Sequence, residues 1–295
     1  SNLAKDYQAK KDNIRYTPFG STLTLKVAEA ALDGEHLGKD NVTDFLAINI
    51  ASTDYAGHKF GPNSIEVEDV YLRLDADLAD FFKMLDAKVG KGQYTVFLSA
   101  DHGGAHAEGF MKEHKMATGF FGENAEKNLN DLLKLKYQYD KLIIGIDNYQ
   151  IYLDQNYMKA NKLNAEEVAD YLVDELNKDQ TVLFAVNLKK IGQAPIPEPI
   201  KSRIINGYNW QRSGDIQLVS HDSMLPPYSK TGTTHSVWNS YDSHIPLIFM
   251  GWGFKNGESN RDYNMTDIAP TLSALLRIQF PSGNIGNPIV EALGK

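Results

Sequence analysis

The chain has 295 residues, 42% of them hydrophobic and 23% charged, which fits one large α/β domain or two ordinary domains and argues against disorder. Its 30 basic and 38 acidic residues give a net charge of -8, which argues against a general nucleic-acid binder. The absence of cysteine excludes disulfides, thiolate zinc ligands and cysteine nucleophiles, and no apolar run approaches the roughly 18 residues of a transmembrane helix.

The predicted elements begin after Ser1-Asn2, a pair that we interpret as a cloning remnant or a processed end. Apolar positions at helical spacing predict helices, and short apolar runs bounded by polar residues predict buried strands. In chain order, the prediction is helix 21–33, strand 42–50, helix 65–89, strands 94–99, 142–147 and 148–153, helix 165–176, strands 181–186, 215–220 and 245–250, and helix 266–276. Asn164 with Glu167 predicts a capping box for the third helix, and Thr266 is the predicted cap of the last helix.

The first strand, the helix after it and the second strand predict a β-α-β unit with right-handed parallel pairing. Continued alternation of strands and helices predicts an α/β fold, a three-layer sandwich with a mainly parallel central sheet. We interpret residues 1–295 as a single domain, in which segment 110–215 is a candidate inserted lobe.

The first ligand motif pairs Asp54 with His58, directly after the predicted strand 42–50. Residues four apart on a helical turn face the same way, and a carboxylate with an imidazole is a competent zinc pair. Buried parallel strands deliver such residues to the ligand-binding edge of an open sheet. The alternative is an Asp that caps a helix, beside a surface histidine.

The second motif is Asp101-His102-Gly103-Gly104, at the end of the predicted strand 94–99. Glycine permits close approach of the backbone to a bound ion or oxyanion. The alternative is a glycine-rich turn with an Asp cap. Because neighbouring strand ends lie about 5 Å apart, the two Asp/His pairs can serve two adjacent ions.

The third motif is Gly232-Thr233-Thr234-His235, which precedes the predicted strand 245–250. A histidine in this loop can complete an Asp/His/His site, although loop histidines without a metal are common. Two zinc ions held by Asp and His suit phosphoryl transfer, in which one ion activates the attacking group and the other holds the leaving oxygen.

In combination, these motifs resemble the alkaline phosphatase superfamily. The segments TDYAGHKFGPNS, LSADHGGAH and GTTH, in this order, look like the PafA-type bacterial alkaline phosphatases, and so do TPFGSTLT and EVEDVYLRLDADLADFF. The resemblance covers most of the chain and is strongest in 15–107 and 226–295. The nucleotide pyrophosphatase/phosphodiesterase branch shares the D-x-x-G-H-x-x-G-P and D-H-G patterns and is the close alternative.

The resemblance implies that Asp54, His58 and His235 bind a first zinc ion, and that Asp101 and His102 bind a second. It also implies an alkaline-phosphatase-like sandwich that is incomplete at its N-terminal side. The family's Thr or Ser nucleophile and a further zinc-binding Asp come from a region upstream of the matching residues. No catalytic nucleophile is therefore assigned in this chain, and its substrate-binding residues are not assigned either.

The predicted function is that of the C-terminal portion of a zinc-dependent alkaline phosphatase that hydrolyses phosphate monoesters. A phosphodiesterase or nucleotide pyrophosphatase on the same scaffold is one alternative, and a catalytically inactive zinc-binding fragment is another. We expect two zinc ions and small phosphate esters as ligands, with no nucleic-acid or membrane partner. The resemblance implies a periplasmic or secreted location, and a sheet without its first strands predicts self-association.

Overall fold

The protein is described from a computed structural model, which covers residues 5, 8, 10–120, 124–225, 231–235 and 238–294. The N-terminal pair Ser1-Asn2 lies outside these residues. The chain divides into two compact units. Unit 1 comprises Ser1–Thr17, Ala51–Val70 and His102–His244, and unit 2 comprises Pro18–Ile50, Tyr71–Asp101 and Ile245–Lys295.

Helices and short strands alternate along most of the described chain. The α-helices are α1 (Pro18–Gly34), α2 (Ser52–Phe60), α3 (Ile65–Leu85), α4 (Glu108–Glu113), α5 (Ala125–Tyr137), α6 (Gln155–Ala160), α7 (Ala165–Leu176), α8 (Ile200–Gly207), α9 (Ser240–Ser243) and α10 (Ile268–Leu276). The strands are β1 (Thr95–Ser99), β2 (Gly119–Phe120), β3 (Ile143–Asp147), β4 (Gln150–Leu153), β5 (Val182–Asn187), β6 (Ile216–Ser220), β7 (Met224–Leu225) and β8 (Leu247–Gly251). None of these helices is both long and apolar enough to cross a membrane.

Unit 1 is built on a sheet with the strand order β3-β4-β6-β5, in which every neighbouring pair is antiparallel. The adjacent strands predicted at 142–147 and 148–153 are formed as β3 and β4, which pair as a hairpin. Its turn residues Asn148 and Tyr149 have φ values of 47° and 59°, the left-handed conformation that a tight two-residue hairpin requires at both positions.

Helices cover both faces of this sheet. On one face, Leu133 of α5 and Leu172 of α7 pack with Ile151 and Leu218 of the sheet, and all four are fully buried. On the other face, Val219 of β6 packs in a second apolar cluster that includes residues of α8. Strand β6 is therefore buried throughout, including its polar residues Gln217 and Ser220.

Unit 2 has its own apolar core, between α1 and the C-terminal part of α3. Leu25 and Leu32 lie on one face of α1 and pack against Phe81 and Leu85 of α3. This contact confirms the predicted amphipathic helices 21–33 and 65–89, the second of which continues past α3 as a π-helical turn over Asp86–Gly90. Strand β1 pairs with β8 in this unit, and its five residues are all half-buried.

The predicted strand over 42–50 and its parallel pairing are wrong for the described structure. Residues 43–50 carry no regular secondary structure, and Phe45 is 66% exposed with its ring 6.2 Å from that of Phe97 in β1. Strand β1 instead pairs antiparallel with β8. An extended apolar segment becomes a strand only when a neighbouring backbone completes its ladder, and periodicity cannot identify that neighbour.

A mainly parallel central sheet is likewise not seen in the described residues. Their ladders are antiparallel, except for the two-residue parallel pair of β2 with β7. Periodicity identifies strands but not the direction of their partners, so the alternating order of strands and helices was a poor guide here.

The cap predictions have mixed outcomes. Asn164 caps α7 through its side-chain oxygen, as predicted. Thr266 is not the cap of the last helix. The N-cap of α10 is Asp267, without a side-chain cap bond, because a 3-10 turn over Met265–Asp267 precedes the helix; Asn264 caps that turn in a capping box with Asp267.

Candidate metal centre

Helix α2 places Asp54 and His58 one turn apart on the same face. The distance from His58 Nε2 to Asp54 Oδ1 is 3.4 Å. The helix ends at Phe60, and the following Gly61 has a φ of 84°, which favours glycine, and donates its N–H to the Gly57 carbonyl at 2.8 Å. A Cβ at Gly61 would lie 2.9 Å from the Thr231 carbonyl oxygen, so a glycine is needed where the loop that carries His235 passes.

The loop before His235 is fixed to α2 by two reciprocal hydrogen bonds. Thr233 N–H donates to the His58 carbonyl at 3.3 Å, and His58 Nδ1 lies 2.9 Å from the Thr233 carbonyl oxygen. On its other side, the Ala105 N–H donates to the Thr234 carbonyl at 3.4 Å. These bonds deliver the His235 ring to the same place as Asp54 and His58.

His102, which precedes Gly103 and Gly104, also lies beside Asp54. Its Nε2 lies 3.8 Å from Asp54 Oδ1, and its ring stacks on that of His235 with centroids 3.4 Å apart. The following Gly103 donates its N–H to the Asp242 carbonyl at 2.8 Å. A Cβ at Gly103 would lie 2.0 Å from the Tyr241 carbonyl oxygen, so this glycine permits a close approach to another backbone segment rather than to an ion.

Asp54 is the centre on which three imidazoles converge. The Nε2 atoms of His58, His235 and His102 lie 3.4, 3.7 and 3.8 Å from its Oδ1, and those of His58 and His235 lie 3.2 Å from each other. Among the described residues, Asp54, His58 and His235 form a group whose candidate ligand atoms all lie within 4.8 Å of one another.

These spacings fit a tetrahedral zinc ion. Zinc–nitrogen and zinc–oxygen bonds of about 2.1 Å put neighbouring ligand atoms about 3.4 Å apart in a tetrahedron. The three separations within the Asp54, His58 and His235 group are 3.2, 3.4 and 3.7 Å, which bracket that value. One carboxylate and two imidazoles are also a donor set that zinc prefers.

The hydrogen bonds of two of the rings prepare them for a cation. A carbonyl oxygen only accepts hydrogen bonds, so Nδ1 of His58 donates to Thr233 (2.9 Å) and Nδ1 of His102 donates to Gly103 (2.7 Å). In the neutral rings, Nε2 then presents a lone pair toward Asp54. Burial lowers the pKa of His235, as do His102 and His58, and thereby favours the neutral form that binds a metal.

The sequence model of the family described as type I phosphodiesterase / nucleotide pyrophosphatase matches residues 2–243. The chain belongs to this family. The match includes Asp54, His58, Asp101, His102 and His235, and it confirms the predicted resemblance to the phosphodiesterase branch.

Three curated relatives are similar to this chain over nearly its whole length. Alkaline phosphatase PafA of Elizabethkingia meningoseptica is 62% identical over 295 residues, which are 100% of this chain and 54% of the relative. A protein of Myroides odoratus named calcium-transporting ATPase is 47% identical over 292 residues (96% and 53%). Alkaline phosphatase PhoV of Synechococcus elongatus is 45% identical over 293 residues (99% and 53%). The chain thus spans about half the length of these relatives.

The crystal structure of PafA superimposes with a TM-score of 0.96 at 62% identity, over 99% of this chain and 56% of that one. The resemblance to PafA-type alkaline phosphatases is therefore confirmed, and so is the α/β class of the fold.

The fold brings four of the five predicted ligands into contact. Asp54, His58, His102 and His235 are in unit 1 and form the cluster described above. Asp101 is exposed, follows β1 and belongs to unit 2. It is not part of the three-residue group, and its assignment as a ligand stays a prediction.

One residue near the cluster was missed from the sequence. Asp242 in α9 is only 3% exposed, and its negative charge favours the protonated form of His235, which raises the pKa of that ring against the larger effect of burial. Nothing in the segment Tyr241-Asp242-Ser243 has metal-ligand spacing. Asp242 could have been identified from the sequence only with the knowledge that the Gly103 N–H donates to the carbonyl of Asp242.

Proposed function

We propose that this chain supplies the metal-binding part of an alkaline phosphatase that hydrolyses phosphate monoesters with two zinc ions. The observation that carries the proposal is the set of ligand separations among Asp54, His58 and His235, which match the edges of a zinc tetrahedron. The names of PafA and PhoV support the phosphatase activity of the longer protein.

In this proposal, Asp54, His58 and His235 hold the first ion, and Asp101 and His102 contribute to the second. A bound zinc ion would act as a Lewis acid on a phosphoryl or leaving-group oxygen. The nucleophile, a Thr or Ser, lies upstream of this chain. The protein residues of the first site bind and orient the ion, since the Thr233 carbonyl fixes the His58 ring with Nε2 toward Asp54.

The proposal extends to the architecture and location of the longer protein. Its three-layer sandwich has a mainly parallel central sheet to which this chain contributes as one domain, with 110–215 as an inserted lobe. It acts on small phosphate esters in the periplasm or outside the cell. This chain alone self-associates through apolar surface such as Phe45 (66% exposed) and Val42 (71% exposed).

A second candidate function is phosphodiester or nucleotide pyrophosphate hydrolysis, which the matching family description favours. The two activities are separable in a longer protein that contains the upstream nucleophile. Hydrolysis of p-nitrophenyl phosphate well above that of bis-p-nitrophenyl phosphate supports the phosphatase, and the reverse preference supports the diesterase. The ratio of the two kcat/KM values decides between them.

The metal site itself is testable in this chain. We expect the dialysed chain to retain zinc at the Asp54 site and the Asp54→Asn variant to lose it, since an amide is a far weaker zinc ligand than a carboxylate. Asp80→Asn is the matched control, because Asp80 is an exposed carboxylate paired only with Lys83 among the interactions that the structure defines for it. Zinc is measured by atomic emission and its affinity by competition with a chromophoric chelator.

A wild-type chain that is folded by circular dichroism and holds no zinc would overturn the ligand assignment. Equal zinc content in Asp54→Asn and wild type would do the same. Loss of zinc from Asp80→Asn would mean that the chain binds the metal through nonspecific carboxylates.

A further inference from the structure

Asp242 is a buried carboxylate for which the metal site proposed above has no role. It is 3% exposed in the short helix α9 of unit 1, the unit that also contains His235. An ionised carboxylate at this depth is costly unless strong hydrogen-bond donors or positive charge face it. Its negative charge is therefore matched by donors or positive charge in its immediate surroundings.

Backbone hydrogen bonds place Asp242 and His235 against the same short segment. The Gly103 N–H donates to the Asp242 carbonyl (2.8 Å), and the Ala105 N–H donates to the Thr234 carbonyl (3.4 Å). Residues 103 and 105 are two apart and are separated by at most about 7 Å of chain. His102, which precedes this segment, stacks on the His235 ring at 3.4 Å.

The ring geometry of His235 places its Nδ1 away from the Asp54 side. His58 and His102 are each oriented by a backbone carbonyl at Nδ1. His235 turns its Nε2 toward Asp54 and His58, so its Nδ1 points to the opposite side of the ring. The negative charge of Asp242 acts on this ring, where it opposes the stronger, pKa-lowering effect of burial.

We propose that Asp242 is the positioning residue of His235, whose Nδ1–H it accepts, and that it thereby holds Nε2 toward the metal ion. This inference rests on the proposed zinc site and adds a carboxylate–histidine–metal relay to it. Such a carboxylate fixes the tautomer and raises the basicity of the metal-binding nitrogen. Asp242 does not touch the ion or the substrate in this proposal.

The test uses the full chain and two independent measurements on Asp242→Asn. This substitution keeps the size of the side chain and removes its charge. We expect the zinc dissociation constant to rise 10- to 100-fold, the usual effect of removing such a partner. We also expect the ¹⁵N shifts of the His235 ring in the zinc-free chain to change from one dominant Nδ1–H tautomer to a mixture of tautomers.

Asp222→Asn is the matched control, since Asp222 is an exposed carboxylate in the same unit. We expect wild-type zinc affinity and a wild-type His235 tautomer in this variant. The melting temperature of each zinc-free variant establishes that it is folded. A variant that merely loosens the fold would shift the melting temperature without a specific change at the His235 ring.

The outcomes separate this inference from the proposed function. If wild type binds zinc and Asp242→Asn matches it in both affinity and tautomer, the role of Asp242 is refuted while the zinc site stands. If wild type binds no zinc, the proposed function fails, and the tautomer measurement, which needs no metal, still decides the relation of Asp242 to His235. An unchanged tautomer would then refute the inference as well.

Discussion

Two adjacent glycines provide a sharp test of how the metal centre is held. A Cβ on Gly103 would lie 2.0 Å from the Tyr241 carbonyl oxygen, whereas a Cβ on Gly104 would have no heavy atom within 4 Å. Neither glycine has a positive φ, so alanine is compatible with both backbone conformations. The prediction is that Gly103→Ala is strongly destabilising and Gly104→Ala is nearly neutral.

The magnitude follows from the contact. Carbon–oxygen contacts do not normally fall below about 3.3 Å, so the two segments must separate by more than about 1 Å. That movement stretches the Gly103 N–H bond to the Asp242 carbonyl (2.8 Å) and the Gly104 N–H bond to the Tyr241 carbonyl (3.2 Å) beyond hydrogen-bonding range. At about 1 kcal/mol for each bond, with further cost from loosened packing, we expect Gly103→Ala to lose about 2–4 kcal/mol of unfolding free energy.

Urea denaturation followed by circular dichroism measures this difference, and a zinc titration of the same samples measures its effect on the site. Because His102 precedes Gly103, we expect weaker zinc binding in Gly103→Ala and near-wild-type binding in Gly104→Ala. Equal midpoints for the two variants would refute the argument, since it assigns the entire difference to the contact with residue 241.

Three further predictions concern stability outside the metal centre. Asn164→Ala should lower the unfolding free energy by about 1 kcal/mol in urea denaturation, because the side chain caps α7. Leu172→Ala, at a fully buried position, should cost about 2–5 kcal/mol, whereas Leu135→Ala, at a position that is 84% exposed, should change stability by less than about 0.5 kcal/mol. The hydrogen bond from Lys190 lowers the pKa of Asp170, so its stabilising effect is present above the unfolded-state pKa near 3.9 and is lost as the pH falls through the lower folded-state value. The difference in urea midpoint between wild type and Asp170→Asn should therefore be larger at pH 6 than at pH 3, and a difference independent of pH would contradict this assignment.

Local features of the fold are predictable from the sequence because short-range geometry determines them. The amphipathic helices α1, α3 and α7 were predicted from their apolar spacing, and the strands β3 and β4 from their short apolar runs. Strand partners depend on distant backbone. The segment 42–50 has the composition of a buried strand, yet it forms none in the described chain, and β1 pairs with β8, which follows it by about 150 residues.

The candidate site likewise has one part that local geometry predicts and another part that depends on distant backbone contacts. The pairing of Asp54 with His58 needs only one helical turn, so their spacing predicted it. The approach of His235 needs the hydrogen bonds of its loop to α2, so the loop motif offered this histidine as one possible ligand and the family resemblance then assigned it. Asp242 was invisible because its link to the site passes through the backbone of Gly103, whose partner no sequence pattern specifies.

The hydrogen bonds around the site determine how metal binding and folding are coupled in unit 1. His58 and Thr233 exchange two hydrogen bonds, at 2.9 and 3.3 Å, which join protein atoms directly. The loop that carries His235 is therefore anchored by protein contacts, whereas small zinc-dependent domains are unfolded until the metal assembles their ligands. We therefore expect the folded state of this chain to organise the ligands before the metal binds. Zinc removal should then leave the far-ultraviolet circular dichroism unchanged. It should lower the melting temperature only by the amount that corresponds to the lost free energy of zinc binding, as expected for a ligand that binds a preformed site.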